Sequence, residues 1–443
     1  MKQSNNKVID IVGINQIYFQ LGVEYKNKIG HPISKIIGRS YIYGMMSFFY
    51  LFAKSLFCCR KTLIKPNDIV TTLYFGQTVN NYRALEKIFS KDKNHPFFLC
   101  KKEDFPIWKQ FYYSVGSFHS THKLIKSLSY EEKEVVKANY LTILCTPGIY
   151  RLVEEIVCLY NPKVVVMAND HSTYNRCMID ICKKLSIKTV YVQHASVTNK
   201  FPSLRFDYSF LDGLESLEKY EAQGLSQGKV FLSGGVRFDG ISRKKENMHI
   251  HKIGIALNEF DDKEKATKII SYLLTHGDVS IVVRPHPARA GKSFEDWCVK
   301  LHVKYSDSKN EPSFDFLYNI DVLLANDSSI HLDAAIVGCP SLVYNFSSDA
   351  TQDYYGFIKH GLVREINDEH INEIYKHTKA ASLDVVRYYH ASVGTAYEGQ
   401  VGTLVLDLIS NILGVDSTFE SFVNLHAIRL LTSTLNREVY IVD

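Results

Sequence analysis

Two short loops in the sequence contain residue types that could bind an anionic ligand. In "NDSS", Ser328 and Ser329 lie directly before a helical stretch. Backbone N–H groups and the helix dipole favour an anion there, and the two hydroxyls would add donors. Plain helix capping by Asp327 or Ser328 is the alternative. In "RPHP", the prolines hold Arg284 and His286 in a rigid extended segment, so the loops together predict a phosphate-binding site.

A second group of residues could supply a catalytic base. "ANDHS" contains Asp170 and His171, "YVQHAS" contains His194, and each motif follows a run of β-branched residues. A carboxylate or a neutral imidazole in such a position can take the proton from an attacking hydroxyl. The same residue types could form a Ser-His-Asp hydrolase, but the sequence lacks the G-x-S-x-G turn of the α/β hydrolases.

Several other chemistries lack their sequence signatures. There is no Walker loop, no G-x-G-x-x-G fingerprint and no D-x-D pair of the kind that binds a divalent metal. The spacing of the nine cysteines matches neither a disulfide framework nor a zinc knuckle, which favours a reducing, cytoplasmic compartment. The net charge is only +5 over 443 residues, so no nucleic-acid partner is expected.

The elements that must position these residues alternate between strands and helices. β-branched runs such as "KVVVMAND" and "VSIVVRPHP" are followed by stretches with helical spacing, and the pattern restarts near residue 250. The alternation predicts an α/β fold with two doubly wound domains and a break between residues 214 and 250. Ligands bind beyond the carboxyl ends of the strands in such folds. Gly234 and Asn258 occupy two further strand ends and join the predicted nucleotide site.

The motifs that follow the strands resemble those of a known group of enzymes. "YVQHASVTNKFPSLRFDYSFLDG", "GKVFLSGGVRFDG", "RPHP" and "NDSSIHLDAAIVGCPSLVYNF" are similar to segments of the GT-B transferases of bacterial surface polysaccharides. These include polysialyltransferases, Kdo-transferases and CDP-glycerol or CDP-ribitol transferases, and the resemblance covers residues 163–346. It implies two Rossmann-like domains that face a central cleft. An acceptor domain would cover residues 1–225 and a nucleotide-donor domain residues 226–443, with the last helices crossing back.

The resemblance also implies roles for single residues. In that family the histidine of the HP motif and the serines of the SS motif bind the phosphate of a cytidine nucleotide, which corresponds to His286, Ser328 and Ser329 here. Catalysis is expected to need neither a metal nor a cofactor, because helix dipoles and side chains neutralise the leaving phosphate.

The predicted function is metal-independent, inverting transfer of a CMP-sialic acid-like or CMP-Kdo-like sugar to a glycan or lipid-linked acceptor of a capsule or lipopolysaccharide. Asp170 is the first choice for the base, followed by His194 and then His171. A CDP-glycerol or CDP-ribitol donor is the alternative, and it would move His194 ahead. Two further alternatives are a UDP-sugar epimerase of the same fold and a non-catalytic subunit of a glycan-assembly complex.

One apolar segment bears on the location of the protein. Residues 41–59 form a stretch of nineteen residues that contains a single charge, Lys54. Its length permits a membrane span, but its small and polar residues also fit a helix that covers a groove or lies at a membrane surface. The expected location is the cytoplasm, with peripheral contact to the inner membrane as one interpretation of this helix.

Overall fold

The structure is a computed structural model that describes residues 9–21, 40–58, 69–244, 249–347, 351–375, 379–414 and 418–443. The chain forms two compact units. Unit 1 comprises residues 1–239 together with residues 400–443, and unit 2 comprises residues 240–399.

Strands make up one layer of each unit. In chain order they are β1 (Thr72–Gly76), β2 (Phe97–Lys101), β3 (Val164–Met167), β4 (Lys188–Val192), β5 (Tyr208–Leu211), β6 (Gly228–Leu232), β7 (Lys252–Leu257), β8 (Ser280–Pro285), β9 (Lys304–Tyr305), β10 (Val322–Ala325), β11 (Ser341–Tyr344), β12 (Arg364–Ile366), β13 (Ile428–Thr434) and β14 (Arg437–Val442).

Helices connect and cover the strands. The α-helices are α1 (Ile11–Ile14), α2 (Gln16–Leu21), α3 (Tyr41–Cys58), α4 (Val79–Phe89), α5 (Ile107–Val115), α6 (Phe118–Ser127), α7 (Tyr130–Ala138), α8 (Tyr140–Tyr160), α9 (Thr173–Lys184), α10 (Leu214–Glu221), α11 (Lys263–His276), α12 (Lys292–Lys300), α13 (Ser313–Tyr318), α14 (Ile330–Val337), α15 (Leu383–Tyr389), α16 (Val401–Ile412) and α17 (Phe419–Leu425). Short 3₁₀ turns cover Lys102–Asp104, Val236–Phe238 and Asp368–Tyr375.

The sheet of unit 1 has eight strands in the order β13-β14-β6-β5-β4-β3-β1-β2. All neighbours are parallel except β13 and β14. Every residue of β1 and β3 is buried, because helices cover both faces of the sheet. The strand order reverses between β1 and β3, and this switch point is where ligands bind in open α/β sheets. Thr78 and Ser172 cap the helices that start there, α4 and α9.

The sheet of unit 2 has six parallel strands in the order β12-β11-β10-β7-β8-β9. One face packs against α11 and α12 through residues such as Ile270 and Phe294. The other packs against α13 and α14 through residues such as Phe316 and Val337. Read from β9, this is the Rossmann order, with its switch point between β7 and β10. The predicted fold class, α/β with two Rossmann-like doubly wound units, is confirmed.

The unit border differs from the expected division into residues 1–225 and 226–443. Residues 226–239 belong to unit 1 because β6 pairs with β5. Residues 400–443 also belong to unit 1, because β14 pairs with β6 and the backbone N–H of Gly402 donates to Asp239 Oδ2 at 2.9 Å. The return of the last helices to the first unit agrees with the expected crossing back, whereas the pairing of β14 with β6 was not expected, because strand pairing across two hundred residues leaves no local pattern in a sequence.

The apolar segment at residues 41–59 forms helix α3 up to Cys58, and Cys59 lies outside the described residues. Phe48 is fully buried against Phe111 and Phe118. Gly44 lies so near Tyr140 that an added Cβ would be 2.8 Å from its ring. The opposite face of α3 is exposed, with Phe57 84% accessible. Among the described residues, no helix combines the length and apolarity needed to cross a bilayer.

Candidate functional site

The switch point of unit 2 is held together by side-chain amides. Asn258, which follows β7, donates from Nδ2 to the carbonyl oxygen of Asp327, which follows β10, at 3.1 Å. Asp261 joins the same two loops, since its carboxylate accepts from the backbone N–H of Asn258 at 2.7 Å and from Asn326 Nδ2 at 2.8 Å. Asn258, predicted as part of the nucleotide site, therefore fixes the loop that carries the two serines.

The two serines keep their hydroxyls free of helix capping. Ser329 is the N-cap residue of α14, but its own backbone is helical and its side chain makes no capping hydrogen bond. The alternative in which Asp327 or Ser328 caps this helix is wrong. The carboxylate of Asp327 is turned to the backbone N–H of Tyr354, which donates to Oδ2 at 2.6 Å. The hydroxyls of Ser328 and Ser329 can therefore serve an anion at the start of α14, where the N–H groups of His331 and Leu332 already donate to the carbonyl oxygens of Ser328 and Ser329 at 3.2 and 3.0 Å.

The two residues predicted at the tip of β8 differ in their surroundings. His286 is exposed, and its Nδ1 accepts the backbone N–H of Ala288 at 3.3 Å. A neutral His286 thus carries its proton on Nε2, where it can donate to a phosphate. Arg284 is buried, and its guanidinium donates to Ser306 Oγ at 3.0 Å and to the Glu311 carbonyl at 2.8 Å. Arg284 is thus engaged within its own unit, beside β9.

The sequence analysis missed an aromatic group beside the serine loop. Tyr355 forms a hydrogen bond with Ser329, and burial raises the pKa of its phenol. Its ring stacks on Phe357 at 5.0 Å and meets Tyr354 edge-on at 5.0 Å, and Tyr354 is 67% exposed. Such rings can stack with a nucleotide base. The signal was present in the sequence "DYYGF", a run of aromatic residues next to a glycine.

Unit 2 also contains a buried histidine that should control its stability in acid. His331 is fully buried, its Nε2 lies 3.0 Å from the carbonyl oxygen of Asn326, and burial lowers its pKa to about 4. An unfolded histidine has a pKa near 6.5, so protons favour the unfolded chain as the pH falls from about 6.5 to 4. The contribution of the neutral His331 to the free energy of unfolding is therefore fully present above pH 6.5, and it is lost as the pH falls towards 4.

We expect the free energy of unfolding to fall between pH 7 and pH 4, and this fall should be about 3 kcal/mol smaller in His331→Gln than in the unmodified protein. Urea denaturation at the two pH values measures this difference. The exposed His370→Gln is the matched control and should leave the pH dependence as in the unmodified protein. Equal pH slopes for His331→Gln and the unmodified protein would contradict the assignment.

In unit 1, a buried ion pair follows β5 and β6. Asp212 is 2% exposed, and Arg237 Nη2 lies 2.5 Å from its Oδ2. Burial raises the pKa of Asp212 to about 6, although Arg237 acts in the opposite direction. Gly235 leaves room for the pair, since an added Cβ would lie 2.5 Å from Asp212 Oδ1. Gly234, predicted for the nucleotide domain, belongs instead to unit 1, where its N–H donates to the Asp212 carbonyl at 3.1 Å.

Asp170 and His171 form a hydrogen-bonded pair after β3. His171 Nδ1 lies 3.0 Å from Asp170 Oδ1, and Asp170 is 3% exposed. The Asp170 carboxylate also acts on the Tyr220 phenol, whose pKa is raised by burial and by this carboxylate. The His171 ring packs on Phe201 at 4.2 Å, with its side chain 26% exposed. Asp170 thereby orients the imidazole and leaves His171 Nε2 as the accessible basic atom.

His194, the second choice for the base, follows β4 in a more buried position. Burial lowers its pKa to about 4, opposed by the nearby Asp170 carboxylate, so the ring is neutral at physiological pH. Its Nδ1 is buried and makes no hydrogen bond with any residue that the structure describes. His194 and Arg237 both line an open pocket of about 650 Å³ beside α4. The structure thus places the three predicted bases at neighbouring strand ends of the same sheet.

The predicted residues fall into two groups that match the two units. Unit 1 holds Asp170, His171, His194 and Gly234, whereas unit 2 holds Arg284, His286, Ser328, Ser329 and Asn258. Within the described ranges, no group of three or more His, Cys, Asp or Glu side chains is arranged to hold a metal ion.

Comparisons with known proteins give matches in structure only. No protein-family model matches the chain, and no curated protein matches its sequence. UDP-GlcNAc 2-epimerase from Neisseria meningitidis, solved with UDP-GlcNAc, is 13% identical with a TM-score of 0.48, covering 78% of this chain and 100% of its own. The calicheamicin glycosyltransferase CalG4 is 12% identical with a TM-score of 0.46, covering 79% and 100%.

The wall teichoic acid polymerase TagF is 13% identical with a TM-score of 0.41, covering 83% of this chain and 98% of its own. Similarities at this level of identity and TM-score assign no activity to the chain.

Proposed function

We propose that this chain is a transferase that uses a cytidine-nucleotide-activated donor. The observation that carries the proposal is the switch point of unit 2, where Asn258 holds the loop that presents Ser328 and Ser329. Two uncapped hydroxyls at a helix N-terminus and the Nε2–H of His286 offer donors for a phosphate. The aromatic residues Tyr354 and Tyr355 offer a surface on which the cytosine ring could stack.

Unit 1 supplies the catalytic base, the group that takes the proton of the acceptor hydroxyl, in this proposal. Among the three candidates, His171 fits the role best because it is partly exposed and its tautomer is set by Asp170. Asp170 itself is buried, so it acts as a positioning residue. The pKa of His194, lowered to about 4 by burial, makes that imidazole a weak base.

The reaction follows from these roles. An acceptor hydroxyl gives its proton to His171 Nε2 and its oxygen forms a bond to the anomeric carbon of the donor sugar. The bond between that carbon and the phosphate oxygen breaks, and the phosphate keeps the electron pair. Ser328, Ser329 and His286 stabilise the charge of the departing nucleotide, which is why no metal is required.

A CDP-glycerol or CDP-ribitol donor is the second candidate function, and the choice of a histidine as base favours it as much as the first. In this case the hydroxyl attacks the phosphorus that carries the polyol, and CMP departs. The two functions differ in the product, which gains either a glycosidic bond or a phosphodiester. Mass spectrometry of the acceptor after incubation with each donor distinguishes them.

Peripheral membrane contact is proposed for helix α3. Its outer face exposes Ile42, Met46 and Phe57. Helix α6, which packs on α3 through Phe118, exposes basic residues that could meet anionic lipids. An exposed apolar stripe bordered by cations is typical of a helix that lies in a membrane interface. This contact would bring unit 1 close to a lipid-linked acceptor.

Nucleotide binding tests the proposal directly. We expect CMP or CDP to raise the free energy of unfolding by about 2.7 kcal/mol at a hundredfold excess over the dissociation constant, with little effect from UDP, GDP or ADP. A thermal-shift screen measures this. His286→Ala should lose most of the response, whereas His276→Ala on α11 should keep it.

The other outcomes of the screen are equally informative. A response to UDP alone would contradict the cytidine donor and indicate an epimerase or a UDP-sugar transferase. No response to any nucleotide would contradict the nucleotide site in unit 2 and favour the non-catalytic subunit.

A further inference from the structure

Unit 1 contains an apolar pocket that the proposed reaction does not use. It measures about 500 Å³ and lies between α3, α5, α8 and the start of α9. This volume is in the range of small-molecule sites. Its apolar walls are formed by Leu51, Ile107, Phe111, Leu141 and Ile149.

The polar end of the pocket lies at the switch point of the unit 1 sheet. Gln77, which follows β1, and Ser172, which follows β3, both line it. The amide of Gln77 donates to Ser172 Oγ and to Asn175 Oδ1, so the two strand ends are joined there. The same loop carries Asp170 and His171. A ligand in this pocket would therefore extend towards the proposed base.

The charges that line the pocket have one sign. Lys54 and Lys102 line it, and no Asp or Glu is among its lining residues. The Lys102 ammonium lies 4.8 Å above the ring of Tyr174, and burial lowers its pKa. The adjacent Glu103 carboxylate partly opposes this effect of burial, and it also accepts from the Tyr82 hydroxyl at 2.6 Å. Two cations and no carboxylate among the lining residues favour an anionic ligand.

We infer that this pocket binds the acceptor as an amphiphile with a phosphate head, the alkyl chain lying along the apolar walls and the phosphate beside Lys102 and Lys54. Helix α3 connects the pocket with the proposed membrane-contact face, because Leu51 lines the pocket while Met46 and Phe57 remain exposed on the outer face of the helix. The inference rests on the proposed function in that it names the class of acceptor.

Isothermal titration calorimetry of the full chain with monododecyl phosphate, below its critical micelle concentration, tests the inference. We expect saturable binding of one equivalent, with no measurable binding of inorganic phosphate and binding of neutral dodecyl maltoside at least about tenfold weaker. Equal affinity for the neutral amphiphile would overturn the role of the lysines. Binding of inorganic phosphate as tight as that of the alkyl phosphate would overturn the role of the apolar walls.

Two variants locate the site. Lys102→Gln should weaken binding of the alkyl phosphate by about tenfold or more, whereas Lys300→Gln, an exposed lysine of unit 2, should leave it unchanged. Thr142→Trp, which fills the pocket from α8, should abolish binding. Unchanged binding in Lys102→Gln would place the amphiphile elsewhere and overturn the assignment.

The same variants separate this inference from the proposed function. Nucleotide stabilisation is measured in unit 2 and should persist in Lys102→Gln and Thr142→Trp. Urea denaturation followed by far-UV circular dichroism, compared with the unmodified protein, shows whether unit 1 of these variants folds. Nucleotide binding without alkyl phosphate binding would overturn the pocket assignment alone. Alkyl phosphate binding without a nucleotide response would overturn the proposed function and leave the pocket as a lipid site.

Discussion

Replacing His171 with asparagine should lower the turnover number by a factor of about 10² to 10⁴, the usual contribution of a general base. Asparagine keeps a polar group of similar size next to Asp170 but cannot accept the proton of the acceptor hydroxyl. The measurement is the steady-state release of cytidine nucleotide from the donor that the ligand screen identifies. His119→Asn, an exposed histidine on α6, is the matched control and should retain full activity.

Asp170→Asn tests whether the carboxylate acts through His171. The amide can donate to His171 Nδ1, which favours the tautomer that carries a proton on Nε2 and cannot act as a base. We expect a loss of turnover similar to that of His171→Asn, with an unchanged Michaelis constant and little further loss in the double variant. A large loss in His194→Asn, with normal turnover in His171→Asn, would assign the base to His194 instead.

Arg237→Met should destabilise the protein by about 3 kcal/mol at pH 8, because it leaves the buried Asp212 without its counter-charge. Methionine retains most of the apolar stem, so the effect reports the charge. Urea denaturation at pH 8 and pH 5.5 measures it. The loss of stability in Arg237→Met should be smaller at pH 5.5. The pKa of Asp212 is already about 6 and rises further without Arg237, so the carboxyl is neutral at that pH and needs no counter-charge.

The surface offers a matched control for this ion pair. Arg429 pairs with Asp443 at 3.0 Å, but both side chains are largely exposed. Arg429→Met should therefore cost no more than about 1 kcal/mol at either pH. A deficit for Arg237→Met that is equally small, or that grows at pH 5.5, would contradict the assignment of a buried charged pair.

Strand ends were the part of the site that the sequence could predict. The runs of β-branched residues, which alternate with stretches of helical spacing, predicted β3, β4, β8 and β10. The residues that follow these strands, such as Asp170 and Ser328, lie at the carboxyl edges of the two sheets. This succeeded because strands buried on both faces leave continuous apolar runs, and because parallel strands bring their carboxyl ends together.

Side-chain direction was the part that the sequence could not predict. Arg284 and His286 are two residues apart, yet the guanidinium turns inward to Ser306 and Glu311 while the imidazole is exposed. Asp327 is drawn to the backbone of Tyr354, which leaves the serines uncapped. Each of these outcomes depends on a partner 22 to 27 residues away in the chain, and no local pattern encodes it.

The return of residues 400–443 to the first sheet has a consequence for biosynthesis. All strands of unit 2 are contiguous in the chain, so this unit can fold as soon as residue 399 has left the ribosome. The edge of β6, by contrast, has no partner until Arg437–Val442 is synthesised, two hundred residues later. An open strand edge can pair with other chains. The nascent protein should therefore depend most on chaperones during the interval between the synthesis of β6 and that of β14, and ribosome-bound chains arrested before residue 437 should aggregate more readily than the released protein.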